Sequence, residues 1–274
     1  MLDNDPTEEL SHGPARGETP DDPASDLALR AGQAFERNWI LRALPREEYA
    51  WLAPMLDPIK LDLKAVITEP NELVEHVFFP ETMIASVVSR MQDGGVVEVG
   101  TIGREGMIGL SAFLDADAMV NQTLVQLAGT AKRMPASVFA DGARERPVFQ
   151  RLLHRYTHAY LAQVSQTAAC NRMHDLLQRC ARWILMTHDR VGDADTFSLT
   201  QEFLSFMLGV RRAGVTEAEG ELQRTGAISY TRGVVTVADR AKLESMSCEC
   251  YRIISAHFDR MLLQPGARHA SNGA

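Results

Sequence analysis

Residues 200–226 read TQEFLSFMLGVRRAGVTEAEGELQRTG, and this stretch decides the fold of the C-terminal part of the chain. Thr200 suits a helix N-cap, and the apolar residues after it give the first helix one apolar face. Gly209 breaks that helix and permits a tight turn, after which a second helix begins near Arg211 and runs to Gly226, which is placed like a C-cap. The stretch therefore predicts a helix-turn-helix.

Two β-rich runs follow at 227–230 and 234–237, and Arg232-Gly233 between them suits a hairpin turn. A hairpin beside a helix-turn-helix is typical of a wing, where Arg232 can touch phosphate. The first turns of the second helix would enter the major groove, where an arginine can contact guanine O6 and N7. The candidate DNA-contacting residues are Thr200, Arg211, Arg212, Val215, Thr216, Glu217 and Arg232.

The charge is unevenly distributed along the chain. The formal net charge is −8, of which the first thirty residues, with eight acids and two bases, carry −6. This opening segment is also rich in proline and poor in large apolar residues, so we expect a disordered acidic tail over 1–32. Residues 198–240 hold five bases and five acids. A helix-turn-helix of zero net charge predicts only modest non-specific affinity for DNA.

Short alternating strands fill the region from Pro58 to about Pro135, with turn signals such as Asp93-Gly94-Gly95 between them. No helix-length segment separates these strands, which disfavours a parallel α/β sheet. The pattern favours an antiparallel sandwich or barrel. A cupin-type enzyme would need closely spaced histidines on such strands, and the region offers only His76, so we expect no catalytic residues.

Helical periodicity returns at Pro147, and neither proline nor glycine interrupts it before Gly192. Five residues of this long helix or helix pair recur at alternating steps of three and four, the spacing of a coiled-coil seam. They are Leu153, Tyr156, Tyr160, Gln163 and Thr167. The spacing indicates a helix that joins two subunits; the alternative is that it packs on its own β-domain.

The four cysteines are Cys170, Cys180, Cys248 and Cys250, and their spacings do not repeat as a paired metal-binding unit. Cys248 and Cys250 could bind metal or respond to oxidants. Two thiols with neither a second pair nor a nearby histidine make an incomplete zinc site. We therefore expect no metal.

The order of these elements over residues 38–245 resembles the cyclic-AMP receptor and fumarate-nitrate regulator (Crp/Fnr) family of bacterial transcription factors. The motifs that carry the resemblance are Leu44-Pro45, Leu56-Asp57-Pro58, Val77-Phe78-Phe79-Pro80, the run from Gly103 to Gly109 (GREGMIG), and Leu208-Gly209-Val210-Arg211-Arg212 with the wing after it. The family implies an α+β fold: a cyclic-nucleotide-binding-like β-roll over 33–147, a long dimerisation helix and hinge over 148–189, a winged helix-turn-helix over 190–245, and a C-terminal helix and tail over 246–274. It also implies a homodimer on a near-palindromic site in double-stranded DNA, with RNA polymerase as a further partner.

Carried over by position, Arg212 matches the family's guanine-reading arginine, whereas Ala213 and Glu217 depart from its pattern and leave the operator sequence open. The places of the arginine and glutamate that hold the cyclic nucleotide are taken by Met119 and Leu110, so cyclic AMP is not expected to bind in the usual way. The candidate effector pocket is Gly106, Gly109, Leu110 and Met119. No cysteine precedes Cys170, which argues against the family's N-terminal iron–sulfur cluster.

Neither a signal-peptide pattern nor a membrane-span pattern is found in the sequence, so we expect a cytoplasmic protein with no membrane partner. A protein-interaction adaptor with a helix-turn-helix that has drifted from DNA is the alternative function. The neutral charge, Ala213, Glu217 and Glu219 favour that alternative.

Overall fold

The computed structural model describes residues 32–116, 118–192 and 194–263. The predicted acidic tail lies outside this range except for residue 32, as does the end of the chain from residue 264. Two short helices, α1 (Trp39–Arg42) and α2 (Arg46–Leu52), open the described part. The side chain of Asn38 caps α1 by accepting from the backbone N–H groups of Ile40 and Leu41.

Seven strands follow and form two antiparallel sheets. They are β1 (Asp57–Leu61), β2 (Val66–Thr68), β3 (His76–Pro80), β4 (Ile84–Arg90), β5 (Val96–Ile102), β6 (Gln122–Leu127) and β7 (Gly129–Pro135). One sheet has the order β1-β7-β3 and the other β2-β6-β4-β5. Apolar residues of both sheets, among them Val77, Phe79 and Val125, are fully buried in one continuous core. The predicted β-roll is confirmed.

The helical stretch after the roll consists of α3 (Ala136–Glu145), α4 (Pro147–Met173) and α5 (Leu176–Val191). The long stretch is thus a helix pair that breaks at His174. Asp175 restarts it as the N-cap of α5, its side chain accepting from the Gln178 backbone N–H at 2.9 Å.

The five residues with coiled-coil spacing face the interior of their own chain, most of them toward the roll. All five are buried. The Tyr156 hydroxyl donates to the Met107 carbonyl at 2.8 Å, and Gln163 Nε2 donates to the Thr101 carbonyl at 2.9 Å. The interpretation of this stripe as a seam between subunits is therefore wrong, and the packing alternative is right. The roll supplies the apolar surface against which residues at this three-and-four spacing are buried.

The C-terminal part is a winged helix-turn-helix followed by two further helices. It contains β8 (Thr196–Ser198), α6 (Gln201–Leu208), α7 (Arg212–Arg224), β9 (Ile228–Thr231), β10 (Val234–Val237), α8 (Arg240–Met246) and α9 (Cys250–Phe258). Strands β8, β10 and β9 form an antiparallel sheet in that order. The chain then enters a π-helical turn at Asp259–Leu263. The α+β fold class predicted from the sequence is confirmed.

Trp183 on α5 joins the roll to the helix-turn-helix. Its indole Nε1 donates to Glu98 Oε1 on β5 at 3.1 Å, and its ring lies edge-on to Phe203 of α6, with 6.5 Å between the ring centroids. A buried ion pair of 2.8 Å between Arg190 and Glu105 also ties α5 to the roll. The two parts thus share one packed joint. No helix in the described part of the chain is both long enough and apolar enough to cross a membrane.

Candidate nucleic-acid interface and roll pocket

The helix-turn-helix is built by the residues that the sequence singled out. Thr200 caps α6, its hydroxyl oxygen accepting from the Phe203 backbone N–H at 3.2 Å. Gly209 closes the helix in the left-handed region at φ +62°, a conformation that an L side chain rarely adopts. Arg211 is the N-cap residue of α7. The two helices are therefore held at a short, sterically defined turn.

Helix α7 has two distinct faces. Val215, Ala218, Glu219 and Leu222 are buried. The opposite face is solvent-exposed over most of the length of the helix. Its exposed residues are Arg212, Ala213, Thr216, Glu217, Gly220, Gln223 and Arg224, with Arg211 exposed at the N-cap. A helix face of this kind, with two arginines at its N-terminal end, can be presented to a groove of DNA.

Val215 does not belong to that face. Its side chain is fully buried in the core of the helix-turn-helix. The base contact expected from the sequence conflicts with this burial, because a residue at the helix-packing position cannot also reach a base edge. Thr216, one residue further, is exposed and takes the outward position.

The wing turn consists of Arg232 and Gly233, both with positive φ, at 50° and 80°. Two such residues in a two-residue hairpin form a type I′ turn. The Leu199 backbone N–H donates to the Gly233 carbonyl at 2.8 Å, which places the start of α6 beside the wing. The structure therefore brings Thr200 and Arg232, two of the predicted contacts, to one edge of the domain.

Gln201 is a residue that the sequence analysis missed. Its Oε1 accepts from the Thr216 hydroxyl at 3.1 Å, and its Nε2 donates to Glu219 Oε2 at 2.9 Å. The side chain thus links the first turn of α6 to the recognition face of α7. Its position directly after the N-cap was the available signal, since the first turn of the leading helix lies near the DNA backbone in this motif.

The zero net charge of the domain conceals an uneven surface. Arg211, Arg212 and Arg232 are exposed, and none forms an ion pair within the described residues. Glu219, in contrast, is fully buried, and this burial raises the pKa of its carboxyl group, with the Gln201 hydrogen bond acting in the opposite direction. Glu221 lies 3.3 Å from Arg224. The arginines therefore dominate the charge near the start of α7.

Three of the four predicted effector-pocket residues line one small cavity in the roll. Gly109, Leu110 and Met119 surround it together with Tyr156 and Tyr160 of α4. Its volume of about 30 Å³ accommodates about two water molecules. Burial raises the pKa of both phenols, so the two tyrosines are neutral hydrogen-bonding groups.

Gly106, the fourth predicted residue, does not line this cavity. A Cβ atom at Gly106 would lie 2.5 Å from Cε2 of Tyr156, far inside a van der Waals contact. Glycine at this position lets the roll approach α4 closely, and its role in the structure is to close the roll around the tyrosine.

An antiparallel roll, a helix pair packed along it and a winged helix-turn-helix with an exposed face on its second helix together define the architecture of the chain. Residues 178–246 match the model of the Crp-like helix-turn-helix domain. The resemblance to the Crp/Fnr type recognised from the sequence is thereby confirmed, and the chain carries a Crp-like helix-turn-helix domain.

Solved structures of this type share the fold at low sequence identity. FixK2 from Bradyrhizobium japonicum is 15% identical with a TM-score of 0.62, covering 70% of this chain and 98% of its own. A transcriptional regulator of the CRP family from Thermus thermophilus is 18% identical with a TM-score of 0.58, covering 69% and 96%. The c-di-GMP responsive global regulator CLP of Xanthomonas campestris is 11% identical with a TM-score of 0.53, covering 70% and 99%. No curated protein matches the chain in sequence.

Proposed function

We propose that the protein is a sequence-specific, dimeric DNA-binding regulator of transcription. The observation that carries the proposal is the exposed face of α7, which begins with Arg211 and Arg212 and lies next to the wing. An arginine at the start of a recognition helix pairs with guanine through two parallel hydrogen bonds, and each such pair discriminates by about 1–3 kcal/mol.

The contact set follows from exposure and position. Arg211 and Arg212 are assigned to bases, and Thr216 and Glu217 to the bases one turn further along the groove, where a carboxylate accepts from cytosine N4. Thr200 and Arg232 are assigned to phosphates on either side, because the start of a helix and a wing arginine both suit the backbone. Val215 is excluded by its burial.

We assign the dimer contact to the outer face of α4. The buried stripe is occupied by the roll, but the exposed residues on the other side also recur at steps of three and four. They are Arg151, His154, His158, Leu161, Ser165, Ala168 and Arg172. Leu161 leaves a large apolar side chain in water, and the small Ser165 and Ala168 allow a second helix to approach closely. A two-fold dimer built on this face implies a near-palindromic operator.

The roll is proposed not to hold cyclic AMP in the usual way. Leu110 and Met119 stand where a carboxylate and a guanidinium would be needed for the ribose and the phosphate. Tyr156 and Tyr160 fill the space between the roll and α4, and the cavity left over is many times smaller than the roughly 300 Å³ or more of an ordinary ligand site. RNA polymerase remains the partner proposed for the DNA-bound dimer.

The adaptor alternative loses one of its supports. Glu219, one of the acids that favoured it, is buried and bonded to Gln201, so it adds no negative charge to the recognition face. The enzyme alternative still has only His76 on the strands of the roll as a histidine.

The test is selection of binding sites from random duplex DNA, followed by footprinting on the best site and on the upstream DNA of the protein's own gene at two salt concentrations. We expect an enriched near-palindrome with half-sites about 10 base pairs apart from centre to centre. Affinity should fall steeply with salt, as for any protein that neutralises several phosphates. Selection that enriches no sequence, together with an intact dimer, would refute the proposal and favour the adaptor.

A further inference from the structure

Four metal-ligating side chains meet at the end of α4. Cys170 lies in the last turn of this helix, and His174 follows four residues later, on the same side. Cys248 and Cys250 lie at the start of α9. The possible ligand atoms of all four lie within 4.8 Å of one another, and the three cysteines are buried. The sequence analysis found no second pair and no nearby histidine for Cys248 and Cys250; in space, the fold supplies a third thiol and an imidazole.

The distances within this cluster suit a tetrahedral metal ion. With Zn–S bonds of about 2.3 Å and Zn–N bonds of about 2.0 Å, the edges of the tetrahedron measure about 3.8 Å between sulfurs and about 3.5 Å between sulfur and nitrogen. The Cys170 and Cys248 Sγ atoms are 3.5 Å apart, and the Cys250 Sγ atom lies 3.5 Å from His174 Nδ1. Two opposite edges of a tetrahedron are thus already formed.

The imidazole is oriented for metal binding by a carboxylate. His174 Nε2 lies 3.2 Å from Glu249 Oε2, which stands between the two C-terminal cysteines. A proton held on Nε2 by this partner leaves the lone pair on Nδ1, the nitrogen that faces the thiols. Metal-bound histidines almost always have such a partner on the other ring nitrogen. Gln166 adds a second outer contact, its Nε2 donating to Cys250 Sγ at 3.1 Å.

Two buried arginines supply the charge that such a site needs. Three thiolates and a divalent cation together carry one negative charge, which is costly to bury alone. Arg179 and Arg182 interact electrostatically with Cys170. Each is buried, and the Nε–H of each lacks a hydrogen-bond partner within the described residues. Their positive charges would offset the excess negative charge of the three thiolates.

We propose that Cys170, His174, Cys248 and Cys250 form a structural zinc site. Three thiolates and one imidazole are a ligand set typical of closed tetrahedral zinc sites, and thiolates select this metal over hard cations. The ion would fasten α9 to the end of α4, at the break between α4 and α5. Arg179 also donates to the Leu208 carbonyl at the end of α6, so the site is connected to the turn of the helix-turn-helix.

The experiment measures the metal in the full chain, so its result does not depend on DNA binding. Protein purified from zinc-supplemented cells is analysed for zinc and iron by inductively coupled plasma mass spectrometry. The bound metal is then replaced with Co²⁺. We expect about one Zn²⁺ per chain and, with Co²⁺, intense tetrahedral d–d bands with a thiolate-to-cobalt charge-transfer band. The variants are Cys170→Ser, His174→Ala and Cys248→Ser, and the matched control is Cys180→Ala.

Cys180 is a fully buried thiol outside the cluster, so Cys180→Ala tests the general effect of losing a buried cysteine. It should retain the metal, whereas Cys170→Ser and Cys248→Ser should lower the affinity for Zn²⁺ at least tenfold. Folded wild-type protein that binds neither Zn²⁺ nor Co²⁺ would overturn the proposal, as would a Cys170–Cys248 disulfide found by mass spectrometry of unreduced protein or a bound iron–sulfur cluster. Because the wild-type chain itself is measured, a variant that fails to fold does not decide the result.

Discussion

Helices α4 and α7 both carry a stripe of residues at helical spacing, and the two stripes have opposite environments. The stripe on α4, with Tyr156 and Tyr160, is buried against the roll; the stripe on α7, with Arg212 and Thr216, faces solvent. Spacing alone predicts that residues share a face. What the face contacts depends on the partner surface, which for α4 is a sheet built from strands far away in the sequence. For α7 the proposed partner surface is that of DNA.

The largest expected effect is on DNA affinity and comes from changes in the solvent-exposed stripe of α7. Replacing both Arg211 and Arg212 with alanine should weaken binding to the selected operator at least about 100-fold, since each lost guanine contact costs about 1–3 kcal/mol in each half-site. Fluorescence anisotropy measures the affinity, and sedimentation checks the dimer. Arg252→Ala, which removes an exposed arginine of α9, is the control and should change little. Equal affinity for the double variant would mean that α7 does not read the operator.

The same substitution should have opposite effects on stability at the two stripes. Gly106→Ala forces a methyl group against the Tyr156 ring and should lower the free energy of unfolding by about 1–3 kcal/mol. Gly220→Ala meets nothing within 4 Å on the exposed face of α7 and should raise it by up to about 1 kcal/mol through helix propensity. Denaturant unfolding measures both. A neutral Gly106→Ala would show that the roll and α4 are less tightly packed than their geometry indicates.

Glu219 gives a pH-dependent test of the buried side of α7. Because its folded pKa is raised, the native state holds its proton more firmly than the unfolded state, so this group lowers the free energy of unfolding as pH rises from its unfolded pKa to its raised folded pKa. The difference in Tm between Glu219→Gln and wild type should therefore increase as pH rises above the ordinary glutamate pKa of 4.5, and become constant above the raised folded pKa. Glu217→Gln, which removes an exposed carboxyl group of the same helix, is the matched control. A constant difference for Glu219→Gln would mean that the carboxyl group titrates normally.

The smallest expected effect is that of cyclic AMP on the Tm, because Tyr156 and Tyr160 fill the space between the roll and α4. A ligand at about 100 times its Kd stabilises a protein by about 2.7 kcal/mol, which shifts Tm by several degrees. With cyclic AMP at millimolar concentration we expect no measurable shift in a thermal melt and no heat of binding by calorimetry. A shift of several degrees would show that the tyrosines move aside for the nucleotide.

Local signals in the sequence were sufficient for most of the fold. Thr200 and Gly209 mark helix ends through their own hydrogen bonds and backbone angles, and Arg232-Gly233 marks a two-residue hairpin, so each could be read from neighbouring residues. The position of Val215 was harder, because a helix turns by about 100° per residue, so an error of one position can move a residue from the buried side of the helix to the exposed side. Burial in the core of the helix-turn-helix settles which of Val215 and Thr216 faces outward.

Contacts between distant parts of the chain could not be predicted in this way. Cys170 and Cys248 are 78 residues apart. Neither the spacing of Cys170 and His174 nor that of Cys248 and Cys250 indicates that α9 returns to the end of α4. The coiled-coil interpretation failed for a related reason. A heptad stripe can be buried equally well against a second helix or against a sheet. Which of the two it packs on is determined only when the roll is assembled.

Trp183, through its hydrogen bond to Glu98, is an intrinsic fluorescence probe of the contact between the roll and the helix-turn-helix. The indole contacts a strand of the roll on one side and Phe203 of the helix-turn-helix on the other, so its fluorescence emission depends on the relative position of the roll and the helix-turn-helix. A tilt of either body would remove the carboxylate from the indole or admit water to the ring. With Trp39 and Trp51 replaced by phenylalanine, time-resolved fluorescence of Trp183 could follow the relative position of the roll and the helix-turn-helix in unlabelled protein, with and without DNA.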